Sequence, residues 1–138
     1  MATTILRTPE ETIAFGQALA RTLESGDVLA LSGELGAGKT HLVKGLVAGL
    51  GAECAVTSPT FTLIHEYRGG RLPLFHADWY RIEEEQDLMK IGIDDYLAEE
   101  GVVVVEWADK FPSALPANTR WIHFRFLEDG TREVTEGS

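Results

Sequence analysis

Cysteine, long apolar runs and a leader segment are scarce or absent. Cys54 is the single cysteine among 138 residues, so no disulfide can form within the chain. The apolar runs are far shorter than the ~20 residues that a membrane-spanning helix needs. The first residues, MATTILRTPEE, have neither the basic start nor the apolar stretch of a secretory signal. These absences predict a cytoplasmic protein with no membrane association, in which Cys54 is a small apolar side chain rather than a catalytic thiol.

Positive charge is also scarce. The chain has 12 basic residues against 22 acidic ones, and its formal net charge is −10. A protein that bound RNA by itself would need a basic stripe, because release of counterions supplies most of the affinity. No such stripe is visible, and no Cys or His cluster has the spacing of zinc ligands. We therefore expect any nucleic acid in its biology to be held by another subunit.

Short apolar runs alternate with segments of helical spacing. Thr8, Pro9 and Glu11 form a capping box, which predicts a helix to about Leu23. GVVVVEW is a continuous β-branched run and predicts an interior strand that is buried on both faces. The other predicted elements are a strand at TTIL, a buried strand at DVLALSG, a helix at THLVKGLVAGLG, hairpins at TSPTFTLIHEY/LPLFHADWY and RWIHFRF/TREVT, and the acid-rich helical segment EEEQDLMKIGIDDYLAEE, broken near Gly92. The pattern indicates one α/β domain over residues 1–138, with a mixed, mostly parallel sheet flanked by helices.

The segment GELGAGKT matches the Walker A pattern, with Gly33, Gly38, Lys39 and Thr40 at the required spacing. Glycines allow backbone N–H groups to converge on phosphate oxygens, and the helix that follows adds positive potential at its N-terminus. Lys39 can reach the β and γ phosphates, and the Thr40 hydroxyl can ligate Mg²⁺. A P-loop domain that binds ATP and Mg²⁺ is therefore predicted.

Two acidic residues end predicted strands and are candidates for the metal and hydrolytic site. In P-loop proteins a carboxylate at the end of a neighbouring buried strand holds the metal or its water. Glu106 follows VVVV and has that position, and Asp78 in HADWYR could hold Mg²⁺ or orient water. His65 and His76 are expected to pack or cap rather than to catalyse.

Five segments resemble the TsaE family, the small P-loop ATPases of bacterial tRNA threonylcarbamoyladenosine synthesis. The segments are GELGAGKT, TSPTFTL, HADWYR, MKIGIDDYL and VVVVEW, and they stand in the order and spacing typical of that family. The resemblance runs from about Thr8 to Arg132. It implies a Mg²⁺-dependent ATPase.

The resemblance also implies roles for single residues. Thr40 and Glu106 would hold Mg²⁺, and Asp78 would complete the hydrolytic site near Tyr80, Arg81 and Trp107. Lys39, Asp78, Glu106 and Thr60 would be the catalytic residues, with Thr60 in a switch-like loop formed by Thr57, Ser58, Pro59, Thr60 and Phe61 beside the γ-phosphate. The adenine would lie between Pro9 and Thr12 on one side and Gly130 and Arg132 on the other. The residues that would bind the nucleotide are Gly33, Leu35, Gly36, Ala37, Gly38, Lys39, Thr40, Pro9 and Gly130.

The resemblance further implies partners. TsaE-like proteins are thought to dock on a TsaD–TsaB pair that modifies the adenosine next to the anticodon, with ATP hydrolysis resetting the assembly. Such a role agrees with the acidity of the chain: hydrolysis would be slow alone and faster with partners, and direct tRNA binding would be weak. The acidic segment and the TSPTF loop are the candidate surfaces that sense nucleotide and touch the partner.

Two alternatives stay open. A small kinase of a nucleoside or another small molecule needs an acceptor pocket and arginines over the transferred phosphoryl group. Here Arg68, Arg71 and Arg81 are scattered around one hairpin, with no separate lid segment. A nucleotide-binding scaffold would bind ATP without turnover.

Overall fold

The computed structural model describes residues 2–33, 38–52, 64–90 and 92–137. Its strands are β1 Ala2–Leu6, β2 Val28–Gly33, β3 Ile64–Tyr67, β4 Leu74–Asp78, β5 Val102–Glu106, β6 Arg120–Phe126 and β7 Arg132–Gly137. Its helices are α1 Pro9–Ala20, α2 Lys39–Gly49, α3 Asp87–Lys90 and α4 Ile93–Ala98, with short 3₁₀ turns at Ala108–Lys110 and Pro112–Ala114. The predicted glycine break is present, since Gly92 separates α3 from α4 with φ of +79°.

All the strands form one sheet in the order β1-β7-β6-β2-β5-β4-β3. Strands β6, β2, β5 and β4 are parallel neighbours, whereas β7 and β3 run antiparallel to the strands beside them. Because β1 is antiparallel to β7, it points the same way as the four parallel strands. The prediction of a mixed, mostly parallel α/β sheet is confirmed.

Strand β5 is an interior strand whose residues are all buried, as GVVVVEW predicted. The alternation of side chains sends Val102 and Val104 to the face that packs on α1 and α2. It sends Val103 and Val105 to the opposite face, which is covered by residues around α3 and α4. Helices therefore flank the sheet on both sides.

Helix α1 begins as predicted but ends early. The Thr8 side chain accepts a hydrogen bond from the Glu11 backbone N–H at 3.1 Å, as a capping box requires. The helix ends at Ala20 rather than near Leu23. The N–H groups of Thr22 and Leu23 bond to the carbonyls three residues before them, so the last turn tightens and the α-helical pattern stops.

Helices α1 and α2 cross closely through facing glycines. A Cβ at Gly45 would overlap the carbonyl oxygen of Ile13, and one at Gly16 would lie 2.5 Å from the carbonyl oxygen of Leu42. The crossing fixes the position of α2 against α1. It thereby also fixes the N-terminus of α2, which directly follows the glycine-rich segment. Within the described ranges, no helix has the length and apolar character needed to cross a bilayer.

Candidate functional site

Three strand ends meet at one edge of the sheet. Strand β2 ends at Gly33, β5 at Glu106 and β4 at Asp78, and these strands are parallel neighbours. Asp78 and Glu106 are direct partners in the β4–β5 register. Ligand sites of parallel α/β sheets lie at such carboxyl ends. Two of the predicted catalytic residues, distant in sequence, are thus adjacent in space.

Both described glycines of the Walker A segment have backbone conformations that side chains avoid. Gly33 has φ of +123°, and a Cβ there would overlap the carbonyl oxygen of Phe124. Gly38 has φ of +94° and directly precedes α2. A Cβ on Gly38 would lie 3.2 Å from the Arg132 side chain. The backbone therefore needs glycine at both places to turn from β2 into α2.

The Lys39 side chain is only 3% exposed, which is rare for lysine. Its Nζ donates to the carbonyl oxygen of Gly33 at 3.1 Å and lies 4.6 Å from the centre of the Trp107 ring. Burial lowers the pKa of Lys39, while the nearby charges of Glu106, Asp109 and Asp78 oppose that change. The Lys39 ammonium group thus lies against the end of β2 and close enough to Glu106 and Asp78 for their charges to affect its pKa.

Glu106 is 7% exposed and pairs with a fully buried histidine. The distance from His76 Nε2 to Glu106 Oε2 is 2.7 Å. Since a carboxylate only accepts hydrogen bonds, Nε2 carries a proton and its N–H group is the donor. The Nδ1 atom of His76 is buried and has no hydrogen-bond partner in the part of the chain that the structure describes. His76 is therefore more than a packing residue, because it holds the carboxylate of a candidate metal ligand.

The alternation of β4 explains why His76 reaches Glu106. His76 and Asp78 are two residues apart and share one face of the strand. That face also carries Glu106 on β5, since Asp78 and Glu106 are in register. The expectation that His76 packs or caps missed this pairing. Its spacing of two from Asp78 is a signal in the sequence, but only the strand order shows which residue lies opposite.

Asp78 is half-buried at the same edge, and its Oδ1 accepts a hydrogen bond from the Tyr80 backbone N–H at 2.8 Å. Burial raises the pKa of Asp78, and the Glu106 charge adds to this, while the Tyr80 hydrogen bond and the charges of His76 and Lys39 lower it. The net direction is upward. Asp78 is accordingly a stronger base than an ordinary surface aspartate.

An aromatic pair borders the two carboxylates. Trp107 follows Glu106 with φ of +60°, a left-handed conformation uncommon for a bulky residue. Its ring lies 5.0 Å from that of Tyr80, and Lys110 Nζ donates to the Tyr80 carbonyl at 2.8 Å. Of Tyr80, Arg81 and Trp107, which the family resemblance placed near Asp78, Tyr80 bonds to Asp78 through its backbone and Trp107 contacts the Tyr80 ring.

Some of the other predicted site residues are described by the structure, and the rest lie outside the described ranges. Thr40 is the second residue of α2, directly after Lys39. Thr12 from α1 and Arg132 from β7, two of the residues expected near the adenine, lie beside Gly38. A Cβ on Gly130 would meet open space, and Pro9 is exposed at the start of α1. Outside the described residues lie Leu35, Gly36, Ala37, Cys54, Thr57, Ser58, Pro59, Thr60 and Phe61.

Comparisons with known proteins agree on one family. Residues 6–134 match the family described as "Threonylcarbamoyl adenosine biosynthesis protein TsaE". A protein of that name from Treponema pallidum is 44% identical over 131 residues, covering 95% of this chain and 96% of the relative. The one from Bacillus subtilis is 46% identical over 127 residues, covering 92% of this chain and 79% of the relative. The crystal structure of Bacillus subtilis YdiB superposes with a TM-score of 0.85 at 39% identity, covering 98% of this chain and 83% of that one.

Proposed function

Because the chain belongs to the TsaE family and acts in tRNA threonylcarbamoyladenosine biosynthesis, we propose that it does so as a Mg²⁺-dependent ATPase. The observation that carries the proposal is the meeting of Lys39, Glu106 and Asp78 at one sheet edge, directly after a glycine-rich turn into a helix. This arrangement matches what phosphoryl transfer to water needs: a phosphate cradle, a cation and two carboxylates.

The phosphates of ATP would occupy the space before α2. The residues proposed to surround them are Gly33, Leu35, Gly36, Ala37, Gly38, Lys39 and Thr40. Nζ of Lys39 would exchange its hydrogen bond to the Gly33 carbonyl for bonds to phosphate oxygens. The negative phosphates would then offset the free-energy cost of burying the lysine charge. The adenine would lie near Thr12 and Arg132, with Pro9 and Gly130 at the rim.

The donor set at the strand ends fits Mg²⁺. The Thr40 hydroxyl and the Glu106 carboxylate are hard oxygen donors, the type that Mg²⁺ prefers. When bound, the ion would neutralise charge on the β and γ phosphates. Oε2 of Glu106 accepts from His76, and the other carboxylate oxygen would be directed to the metal or its water. His76 would therefore orient Glu106, as hydrogen bonds behind metal ligands commonly do.

Asp78 is the proposed group that orients and deprotonates the attacking water. Its pKa lies above the usual range, which favours proton transfer from water, and it stands directly beside Glu106. Thr60 is proposed to contribute from the switch-like loop. The developing charge on the γ-phosphoryl group would be stabilised by Lys39.

Two of the three arginines around the β3–β4 hairpin make contacts that do not involve the strand ends of the candidate site. Arg68 forms an ion pair with Glu66 at 2.8 Å. Arg71 donates to the carbonyls of Ala20 and Leu23 at the C-terminal end of α1. Neither is poised over a transferred phosphoryl group, and this favours water over a small-molecule acceptor.

The proposed physiological setting is a cytoplasmic complex with TsaD and TsaB homologues, in which ATP hydrolysis resets the modifying machinery. The test is a phosphate-release assay with ATP and Mg²⁺, with and without those homologues from the same organism. We expect slow hydrolysis alone and faster hydrolysis in the complex. Turnover that responds instead to a panel of nucleosides would favour the kinase, and binding without turnover would favour the scaffold.

Two variants locate the chemistry in the same assay. Lys39→Ala should lose both ATP affinity and hydrolysis, since the cation beside the phosphates is gone. Glu106→Gln should keep most ATP affinity but lose at least ~10²-fold in rate, because the group that orients the metal or water is neutralised. Lys44→Ala, an exposed change on α2, is the matched control. Normal turnover by Glu106→Gln would contradict its assignment.

A further inference from the structure

A groove of about 820 Å³ opens beside α3 and α4, on the side of the sheet away from α1 and α2. It is formed by residues 84–86, 88–89, 93–94 and 113–114 and is called the acidic groove below. None of the roles assigned so far to the nucleotide site uses it. Its volume is that of a typical binding pocket, so a side chain or short segment of another molecule can enter it.

The acidic groove has an apolar floor. Leu88 and Ile93 are buried in the core below it. Met89 beside them is 72% exposed, an unusual position for a large apolar side chain. Methionine is flexible and polarisable, and it is common at surfaces that adapt to a bound partner. The floor thus offers an apolar contact to whatever binds.

The rim of the acidic groove is negative. Glu84, Glu85 and Asp94 line it, and no lysine or arginine stands among the residues that form it. Lys90, the nearest basic residue on α3, pairs with Asp87 at 3.3 Å. Glu85 accepts a hydrogen bond from Ser113 at 2.8 Å, which fixes its position on the rim.

The negative charge of the rim indicates which kind of molecule the acidic groove binds. The three rim carboxylates, with no basic residue among those that line the groove, attract a cationic segment and repel nucleic acid. A second copy of this chain is disfavoured too, because each copy carries a net charge of −10. A basic protein segment with an apolar anchor complements both the rim and the floor.

The acidic groove is connected to the two catalytic carboxylates through the chain itself. The segment after Asp78 reaches the groove at Glu84, and the segment after Glu106 reaches it at Ser113. These segments are clamped together between the site and the groove. The ring pairs Tyr80–Trp107 at 5.0 Å and Trp79–Phe111 at 6.1 Å join them, as does the bond from Lys110 to the Tyr80 carbonyl.

We propose that the acidic groove binds a basic segment of the protein partner, with an apolar side chain against Met89, and that binding there adjusts Asp78 and Glu106 through the clamped segments. The proposal rests on the proposed function and adds the place and chemistry of partner contact. Partner binding would raise ATPase activity from a surface that does not touch the nucleotide.

The test reverses charge on the rim of the full chain. Glu84→Lys combined with Asp94→Lys is compared with Glu24→Lys combined with Glu128→Lys, a control pair with the same change in net charge at exposed sites outside the groove. Binding to the TsaD and TsaB homologues is measured by titration calorimetry, and stimulation by phosphate release. The groove variant should keep the basal rate and ATP affinity but need at least ~10-fold more partner, since lysines on the rim would repel a basic segment. The control should match wild type.

Met89→Ser provides an uncharged check and should weaken partner binding without changing the basal rate. Equal losses of partner binding in the groove variant and the control pair would mean that only net charge matters. That result would overturn the proposal that the partner binds in the groove. Wild-type binding and stimulation that persist unchanged in the groove variant would overturn it while leaving the proposed function standing. A wild type that neither binds nor responds to the homologues would overturn both. Self-association or tRNA binding that the groove variant alone loses would assign the groove to another occupant and also overturn the proposal.

Discussion

At the residue scale, the site places two carboxylates side by side and keeps them half or fully buried. Asp78 and Glu106 are register partners, and their charges repel each other. Lys39 and His76 offset that repulsion, Lys39 by its charge and His76 by its hydrogen bond to Glu106. The site therefore stores unfavourable electrostatic energy that ligands would relieve, a common property of functional sites.

The raised pKa of Asp78 predicts a trade-off between stability and activity. The folded chain holds the Asp78 proton more tightly than the unfolded chain does, so stability falls as pH rises through the folded pKa. Asp78→Asn keeps an oxygen for the Tyr80 N–H and removes the charge. We expect a higher free energy of unfolding than wild type at pH 7, no such gain near pH 3, and at least ~10²-fold slower hydrolysis. Urea unfolding at both pH values and phosphate release measure these effects.

Asp129 is the matched control for that experiment. Hydrogen bonds from Thr131 lower its pKa, so its ionised form is the one that the fold favours. Asp129→Asn should therefore shift stability at pH 7 in the opposite direction and leave hydrolysis unchanged. Destabilisation by Asp78→Asn at pH 7 would show that the attraction of Lys39 and His76 outweighs burial, against the assignment made here.

His76 is expected to act through Glu106 rather than on the substrate. His76→Leu removes the donor, whereas His76→Gln retains an amide N–H that can reach the carboxylate. The leucine variant should need 10–100-fold more Mg²⁺ for half-maximal activity, in the range of other groups behind metal ligands, and glutamine should restore part of the loss. ATP binding without Mg²⁺ should stay unchanged. Magnesium titrations of ATP binding and of rate measure this.

His65 provides the comparison, since it is the register partner of His76 on β3 but bonds to Tyr67 instead. His65→Leu should leave the magnesium requirement at the wild-type value. An equal rise in both leucine variants would indicate general loosening of this strand pair, and the specific role of His76 would then be wrong.

At the element scale, the position of α2 depends on its crossing with α1. Gly16 and Gly45 let the two backbones approach, so the first turn of α2, with Lys39 and Thr40, is set relative to the ends of β2 and β5. Helix propensity alone would favour alanine over glycine by about 1 kcal/mol in this helix. The close approach of the two helix backbones outweighs this preference for alanine.

Gly45→Ala is therefore expected to destabilise the protein despite its better propensity. The added methyl group would overlap the Ile13 carbonyl, and overpacking of this kind costs about 1–3 kcal/mol. Lys44→Ala, one residue earlier and exposed, should change stability by less than about 0.5 kcal/mol. Urea unfolding of both variants tests the claim, and a stabilised Gly45→Ala would show that the helices can separate at no cost.

At the scale of the whole molecule, acidity governs which partners are accessible. A net charge of −10 opposes binding to a polyanion, although the family acts in a tRNA modification pathway. We therefore propose a division of labour in which other subunits contact tRNA and this chain contacts those subunits.

The isolated chain should accordingly bind tRNA with a Kd weaker than about 10⁻⁴ M at physiological salt, the weak end of nonspecific binding. Filter binding or fluorescence anisotropy with labelled tRNA, with and without the TsaD and TsaB homologues, gives the measurement. Retention of tRNA only in the presence of the homologues is expected. Tight binding by the chain alone that survives added salt would contradict the argument from charge.

The sequence by itself determined the parts whose causes are local. The capping box at Thr8 and Glu11 started α1, the Walker A glycines marked the turn from β2 into α2, and the run Val102–Val105 marked a strand buried on both faces. Each depends on residues within a few positions of one another, because propensity, capping and side-chain periodicity act over one or two turns.

Only the tertiary structure decided the rest. Asp78 meets Glu106 because β4 pairs with β5, and His76 reaches the same carboxylate because the register leaves both on one face. A slip of one residue would send His76 to the opposite face of the sheet, so local pattern alone cannot assign the pair. The acidic groove likewise forms where segments around Glu84 and Ser113 meet, joined by packing between residues about thirty positions apart. Such contacts depend on how the whole chain closes, which no short stretch of it encodes.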